Sequence, residues 1–403
     1  MLTTLKDIVP DKEEERAVMN TAKHFISKLS SKFKEGKIVL GGSIAKGTWL
    51  KGGYDIDIFA VFDKKYSEKD ISAILEKRLN SLKPVKISGV RKVHGSRDYF
   101  QIKEDPYVFE VIPIINIKKS TEARNITDIS PLHTKWVGNN SDKQLRDDIR
   151  LAKAFCKANN IYGAESYIKG FSGYTLEVLT IYYGSFLRLI NNAIKWKKGQ
   201  VIDIAKHYNG LNESKRGPLI VIDPVQYNRN VAAALSEKKF EIFIELAKKF
   251  IRNPDKCFFE RKKIELEDLK DAIVLTVVPL KGKEDIVGSK LIKALEFIEK
   301  RLDEEGFEVE SSDWDWNGKA LFWFYVKNKK LPKKYKHYGP PIKEEAHLNI
   351  FREKYKNKKL KREGARVYVD LDRKCTDVHD FMKELIKHPY IKEKVKEIKI
   401  LKK

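Results

Sequence analysis

The chain has 403 residues, 42% of them hydrophobic and 34% charged, with a formal net charge of +24. That length suits roughly two to four domains with real cores, and excludes a small disulfide scaffold or an acidic disordered chain. The positive surplus favours a polyanionic partner, nucleic acid first, although a Lys- and Glu-rich surface also suits a protein that works in heat. Cys156, Cys257 and Cys375 stand far apart with no Cys-x-x-Cys pair. That argues against a disulfide framework or a thiolate zinc site and reads each as a small apolar filler. No stretch approaches the roughly 20 apolar residues that span a bilayer, and Met1 to Lys37 lacks an apolar signal core. The expected location is cytoplasmic, with no membrane partner.

Residues 11–33 carry Val18, Ala22, Phe25, Ile26 and Leu29 at helical spacing, which predicts an amphipathic helix. Ile38–Leu40 predicts a short strand entering Gly41-Gly42-Ser43. Residues 55–62, Asp-Ile-Asp-Ile-Phe-Ala-Val-Phe, predict a strand apolar on both faces beyond its acids, and therefore central in a sheet. A helix over 68–82, strands over 85–90 and 97–103, and a strand from Tyr107 closed by Pro113 complete a mixed α/β unit, residues 1–118. Residues 119–260 turn helical, with helices over 146–159, 173–190, 191–196 and 237–251, and Asp223-Pro224-Val225 as a turn. In residues 261–403, strands over 273–278, 307–310, 321–326 and 366–371 alternate with helices over 290–302, 345–355 and 378–386. This is similar to the split βαβ arrangement of many RNA-binding domains. The fold class is α/β and α+β, in several domains.

The chemistry concentrates in residues 41–57. A glycine-rich turn can bring backbone amides and the Ser43 hydroxyl to a phosphate, with Lys46 supplying charge, although such turns are also common as plain strand-to-helix links. Asp55 and Asp57 lie two apart on a strand, so their carboxylates share one face about 6–7 Å apart. Oxygen ligands at that spacing suit Mg²⁺ bound together with a nucleotide's phosphates. Glu110, in an apolar strand, offers a third carboxylate, or else a salt-bridged partner. Read singly, Arg229 and Lys153 pass for surface residues, His133 for an interior histidine and Tyr162 for a helix-end packer.

Gly42-Ser-Ile-Ala-Lys-Gly-Thr-Trp-Leu-Lys-Gly-Gly-Tyr-Asp-Ile-Asp-Ile-Phe59 resembles the signature of the DNA polymerase β-type nucleotidyltransferase superfamily, and within it the archaeal, class I CCA-adding enzymes. Further similar stretches follow in order at Pro131–Trp136, Lys157–Glu165, Gly170–Tyr174, Tyr183–Phe186, Asp223–Val225 and Arg229–Ala233, and more faintly from Tyr338 onward. The resemblance implies a polymerase-β-like head, a helical central domain and an RNA-binding body and tail. It implies metal-dependent, template-independent addition of C, C and A to a tRNA 3′ end from CTP and ATP, with pyrophosphate released. Asp55, Asp57 and Glu110 fall on the metal-binding catalytic acids, with Mg²⁺ as cofactor. Gly42, Ser43 and Lys46 fall on the triphosphate turn, with Thr48 and Trp49 in the same signature. His133 falls where the second motif approaches the nucleotide, Lys153 and Tyr162 on phosphate- and sugar-contacting positions, and Arg229, near Asp223, on the base-reading arginine.

Two departures stand out. The third acid is usually aspartate in that family, and Glu110 is one methylene longer. The triphosphate-side residue after position 95 is often histidine, and its nearest counterpart here is Arg97. The basic runs Lys327–Lys336 and Lys354–Arg366 suit phosphate contacts with the acceptor stem, or a solvated face. Two rival readings are a poly(A)-type RNA 3′-terminal nucleotidyltransferase and a catalytically inactive RNA-binding protein. A homodimer is compatible with the sequence, which does not set the oligomeric state.

Overall fold

Asp11 starts the first layer. The computed structural model describes residues 2–82, 89–206, 211–262 and 264–401, and divides into the units Met1–Lys262 and Lys263–Lys403. After α1 (Leu2–Ile8) comes α2 (Lys12–Lys32), where Asp11 accepts from the amides of Glu13 and Glu14 at 3.1 and 2.9 Å. Glu13, Glu14 and Glu15 suit the positive end of the helix dipole. Val18, Ala22, Phe25 and Leu29 form the buried stripe read from the sequence.

β1 (Gly36–Leu40), the one-turn α3 (Gly42–Lys46), β2 (Asp55–Phe62), α4 (Ile71–Asn80), β3 (Val90–Val93), β4 (Tyr99–Glu104) and β5 (Tyr107–Ile115) follow. They build a five-stranded sheet in the order β1-β2-β5-β4-β3. Most of the strand predicted over 85–90 lies outside the described residues. β2 is interior, as its apolar faces require. Ile56, Ile58, Ala60 and Phe62 join a core with α2 and α4, while Phe59 and Val61 pack with Ile114 on the other face.

Pro113 does not close β5, which continues to Ile115 in parallel register with β2. The amides of Val108 and Asn116 donate to Tyr54 and Phe62, so even-numbered residues of β5 serve β2 and odd-numbered ones face β4. The β4 ladder ends at Phe100 opposite Val111. Proline's missing N–H therefore falls just past the ladder, where nothing needs it.

The helical part comprises α5 (Ser130–Asn139), α6 (Lys143–Ala158), α7 (Gly173–Tyr183), α8 (Phe186–Ala193), the small parallel pair β6 (Gln200–Ile202) and β7 (Leu219–Val221), and α9 (Glu237–Arg252). The helix predicted over 173–190 is two. Gly184, at φ 79°, ends α7 in the left-handed region, and Ser185 opens α8 by accepting from the Arg188 amide at 3.2 Å. Phe155 is fully buried among the rings of Phe186, Phe243, Phe250, Phe258 and Phe259 at 5.7–6.1 Å. Phe155→Ala is expected to cost about 3–5 kcal/mol, read as a lower urea midpoint at constant slope. Cys156 fills this core as expected, whereas Cys257 is exposed.

The second unit runs β8 (Ile273–Pro279), α10 (Glu284–Glu305), β9 (Val309–Asn317), β10 (Lys319–Val326), β11 (Lys334–Pro341), α11 (Glu345–Lys354), β12 (Lys361–Glu363), β13 (Arg366–Asp372), α12 (Val378–Leu385), α13 (Pro389–Lys392) and β14 (Val395–Ile400). The sheet order β14-β8-β10-β9, all antiparallel, gives the expected split βαβ connectivity. A second sheet, β11-β13-β12, is inserted with α11 between β10 and α12. Its strands β11 and β12 begin inside the lysine-rich runs. Lys336 pairs with Glu363 at 2.7 Å and Lys361 with Asp370 at 2.6 Å. Such exposed pairs contribute little to stability and open readily. Among the described residues no helix is long and apolar enough to cross a membrane.

Candidate active site

The end of β1 delivers the chain directly onto the carboxylates. The Gly41 amide donates to the Asp57 carbonyl at 2.8 Å. Gly42 turns with φ +59°, and a Cβ there would stand 1.6 Å from Asp57 Oδ2, so only glycine lets the turn sit against this acid. Ser43 and Lys46 then fall within α3, which Gly47 ends in the left-handed region.

Asp57 pairs in register with Glu110 across the parallel β2–β5 ladder, and Asp55 is two residues earlier on the same face. Gln101, opposite Glu110 on β4, donates its amide to Glu110 Oε1 at 2.7 Å. Burial pushes the Asp57 carboxyl up to about 7, the charges of Glu110 and Asp55 add to this, and Lys46 opposes it. Among the described residues no three His, Cys, Asp or Glu side chains are already gathered as a ligand cluster. The donor set nonetheless fits a divalent cation. It is all oxygen, it is crowded with like charge, and a 2+ ion would relieve the repulsion that raises Asp57.

A second cluster lies at the far end of the glycine turn's helix. Glu177 of α7 is 1% exposed. Its Oε2 lies 2.8 Å from Lys46 Nζ, and its Oε1 lies 2.8 Å from Lys153 Nζ and accepts from Thr48 Oγ1 at 2.7 Å. Lys153 is buried, not a helix-surface lysine, and also donates to Thr48 O and Oγ1 at 3.2 and 2.9 Å. Arg150 donates to the Trp49 carbonyl at 2.9 Å, anchoring the signature to α6. Burial alone would push Glu177 up, but Lys153 and Lys46 outweigh it and bring the carboxyl to about 2. Tyr162 lies beside this cluster: a Cβ on Gly173 would meet its hydroxyl at 2.9 Å and Lys153 Cε at 3.6 Å.

The third cluster is built on Asp223, which is fully buried. Oδ2 lies 3.0 Å from His133 Nε2 and accepts from Arg229 Nη1 at 3.1 Å. Oδ1 accepts from the Tyr174 hydroxyl at 3.2 Å and the Val225 amide at 2.9 Å. Burial holds His133 below its ordinary range against the pull of Asp223, so the ring is neutral near pH 7. His133 stacks on Tyr174 with centroids 4.1 Å apart, and Lys46 Nζ sits 5.1 Å from the same ring, joining this cluster to the glycine turn. Arg229 also lines a cavity of about 420 Å³ with Ser172, Lys215, Gln226 and Asn228.

Arg97 is otherwise engaged. It forms an ion pair with buried Asp128 and donates to the Pro113 carbonyl at 3.1 Å, while Asp128 accepts from the Ile115 amide at 2.9 Å. Sequence reasoning missed Glu177 and Tyr174. The signal for Glu177 was present, a lone acid in the otherwise uncharged helix GYTLEVLTIYY, since a buried acid needs cationic or hydrogen-bonding partners.

Setting the acids of neighbouring parallel strands side by side beneath a glycine turn is the architecture of the polymerase β-type nucleotidyltransferases, and this chain is an enzyme of that class. Residues 22–127 match the nucleotidyltransferase domain family, residues 147–260 the family described as tRNA nucleotidyltransferase, second domain, and residues 275–398 the CCA-adding enzyme, C-terminal domain. The CCA-adding enzyme of Nanoarchaeum equitans is 36% identical, over 94% of this chain and 94% of its own. Those of Methanothermobacter thermautotrophicus and Methanocaldococcus jannaschii are each 30% identical, over 96% and 95% of this chain and 87% and 89% of theirs. The chain belongs to the archaeal CCA-adding enzyme family. Its fold is shared with a cytoplasmic RNA terminal U-transferase (TM-score 0.51, 13% identity, 65% of this chain and 98% of that one). It is also shared with the Cid1 poly(U) polymerase (TM-score 0.52, 12% identity, 65% and 97%). Members of the nucleotidyltransferase family generally use divalent metal ions.

Proposed function

We propose that this enzyme adds C, C and A in turn to the 3′ end of tRNA from CTP and ATP, in the cytoplasm, with Mg²⁺ as its metal. The observation that carries the reading is the in-register pairing of Asp57 with Glu110 beneath the Gly41-Gly42 turn, with Asp55 on the same face. Residues 1–118 act as the catalytic head, 119–260 as the nucleotide-binding helical part, and 261–403 as the tRNA-holding body and tail.

Ser43 and Lys46 bind triphosphate oxygens. Asp55, Asp57 and Glu110 would hold the divalent ions, which when bound polarise the α-phosphate and lower the pKa of the attacking hydroxyl. The tRNA 3′-oxygen bonds to the α-phosphorus, the bond to the bridging α–β oxygen breaks, and pyrophosphate leaves with that electron pair. The hydroxyl proton passes to Glu110 or to water. Asp223 aims the Arg229 guanidinium. Cytosine and adenine both present a ring-nitrogen acceptor beside an exocyclic amine, so an arginine donor accepts both, whereas uracil and guanine oppose it with an N–H. Lysines of the β11-β13-β12 sheet exchange their carboxylate partners for acceptor-stem phosphates.

The test incubates tRNA transcripts lacking the last one, two or three nucleotides with each nucleoside triphosphate and Mg²⁺, then sequences the 3′ ends. The expected products are C, C and A restored in order and then arrest. Homopolymer tails would show a poly(A)-type enzyme instead.

A further inference from the structure

Glu177 lies outside every motif that the chemistry requires, yet three functional side chains converge on it. One carboxylate oxygen takes Lys46 and the other takes Lys153 and Thr48, at 2.7–2.8 Å. The two lysines come from different elements, α3 of the phosphate turn and α6 of the helical part, and the acid comes from α7. An ammonium has three N–H groups, and those of Lys153 are accounted for by Glu177 Oε1, Thr48 O and Thr48 Oγ1. Lys153 in this state reaches a triphosphate only through what it holds in place. The Lys46 side chain is bound to Glu177 through one contact and remains 11% exposed.

We propose that Glu177 is a positioning residue for the nucleotide's triphosphate: one buried carboxylate that fixes where the Lys46 and Lys153 ammonium groups stand. The inference rests on the reading of Lys46 and Ser43 as the triphosphate turn. Without Glu177, two ammonium groups would face each other in a buried site, with Arg150 adding a third positive charge and Tyr162 and Tyr174 nearby. Burial already draws Lys153 below its ordinary range, and Glu177 is the charge that opposes this. A neutral amide at position 177 would therefore leave Lys153 prone to lose its proton as pH rises.

The experiment measures kcat and KM for CTP, ATP and a tRNA transcript at pH 6.5 and 8.5 in the full-length enzyme and its Glu177→Gln and Glu177→Asp variants. Glu177→Gln is expected to raise KM for both nucleotides by about tenfold at pH 8.5, with kcat within about threefold and the transcript's KM unchanged. The KM gap is expected to be at least as large at pH 8.5 as at pH 6.5, the direction in which burial shifts Lys153, and Glu177→Asp restores most of the loss. Should Glu177→Gln fail to fold, Thr48→Val, which removes the hydroxyl that donates to Glu177 Oε1 and accepts from Lys153, is expected to raise nucleotide KM by about two- to fivefold with kcat within about threefold. Unchanged nucleotide KM in these variants, a fall in kcat alone, or a KM gap larger at pH 6.5 than at pH 8.5 would overturn the proposal. Failure of the unmodified enzyme to extend any transcript would instead remove the function on which it rests.

Discussion

Asp57→Asn is expected to abolish nucleotide incorporation, by on the order of a thousandfold or more, while tRNA binding stays within a fewfold. The side chain is central to the proposed metal-binding set, between Asp55 on its own strand and Glu110 in register beside it. The same substitution carries a second signature. The Asp57 carboxyl titrates near about 7 in the folded protein against an ordinary value of 3.8. A carboxyl raised on folding leaves stability intact below its unfolded value and removes it as pH rises toward the folded one. Metal-free enzyme therefore carries the cost of ionising Asp57 above neutral pH and is free of it near pH 4. In EDTA, Asp57→Asn should melt several degrees above the unmodified enzyme at pH 8, and the difference should shrink as pH falls toward 4. Equal melting shifts at both ends, or near-normal incorporation of C and A, would contradict the role assigned to the carboxylates.

Arg229→Ala is expected to damage selectivity more than turnover. The guanidinium is held by Asp223 at 3.1 Å, and Asp223 is itself fixed by His133, Tyr174 and the Val225 amide. The arginine is partly open, with a third of its side chain exposed. On the proposed reading, removing it takes away the donor that meets the ring nitrogen of cytosine or adenine. Misincorporation of U and G relative to C and A should rise by about tenfold or more, measured by competition between correct and incorrect triphosphates on one transcript. Asp223→Asn should shift selectivity in the same direction by releasing the arginine. Unchanged selectivity in Arg229→Ala would move base reading elsewhere.

The head was the most legible part of the sequence, because its signals are local. An apolar run behind two acids defines β2 with its bounds intact, and a charged helix with one apolar stripe defines α2. Pro113 misled, since what decides whether a proline ends a strand is where the neighbouring strand stops, and that is tertiary information. The break at Gly184-Ser185 was hidden because apolar residues continue on both sides of it. Strand β11 was hidden because Lys334, Lys336 and Tyr338 face water, and β12 because all three of its residues, Lys361, Arg362 and Glu363, are exposed. In the site, the residues named by family pattern fall into clusters, but what organises those clusters did not show. Glu177 lies 131 residues from Lys46 in sequence, and Asp223 lies 90 from His133. Pairings over such distances leave no periodic trace.

The contact between Gly42 and Asp57 makes the turn intolerant in a particular way. Alanine is the mildest side chain that any replacement of glycine could introduce, yet even its methyl would have to displace the Asp57 carboxylate, one of those proposed to hold the metal. Shape and reactivity therefore share a single point of failure, and no graded series of variants can loosen one while sparing the other. Drift in this enzyme has room in its lysine-covered β11-β13-β12 sheet and almost none where backbone meets acid.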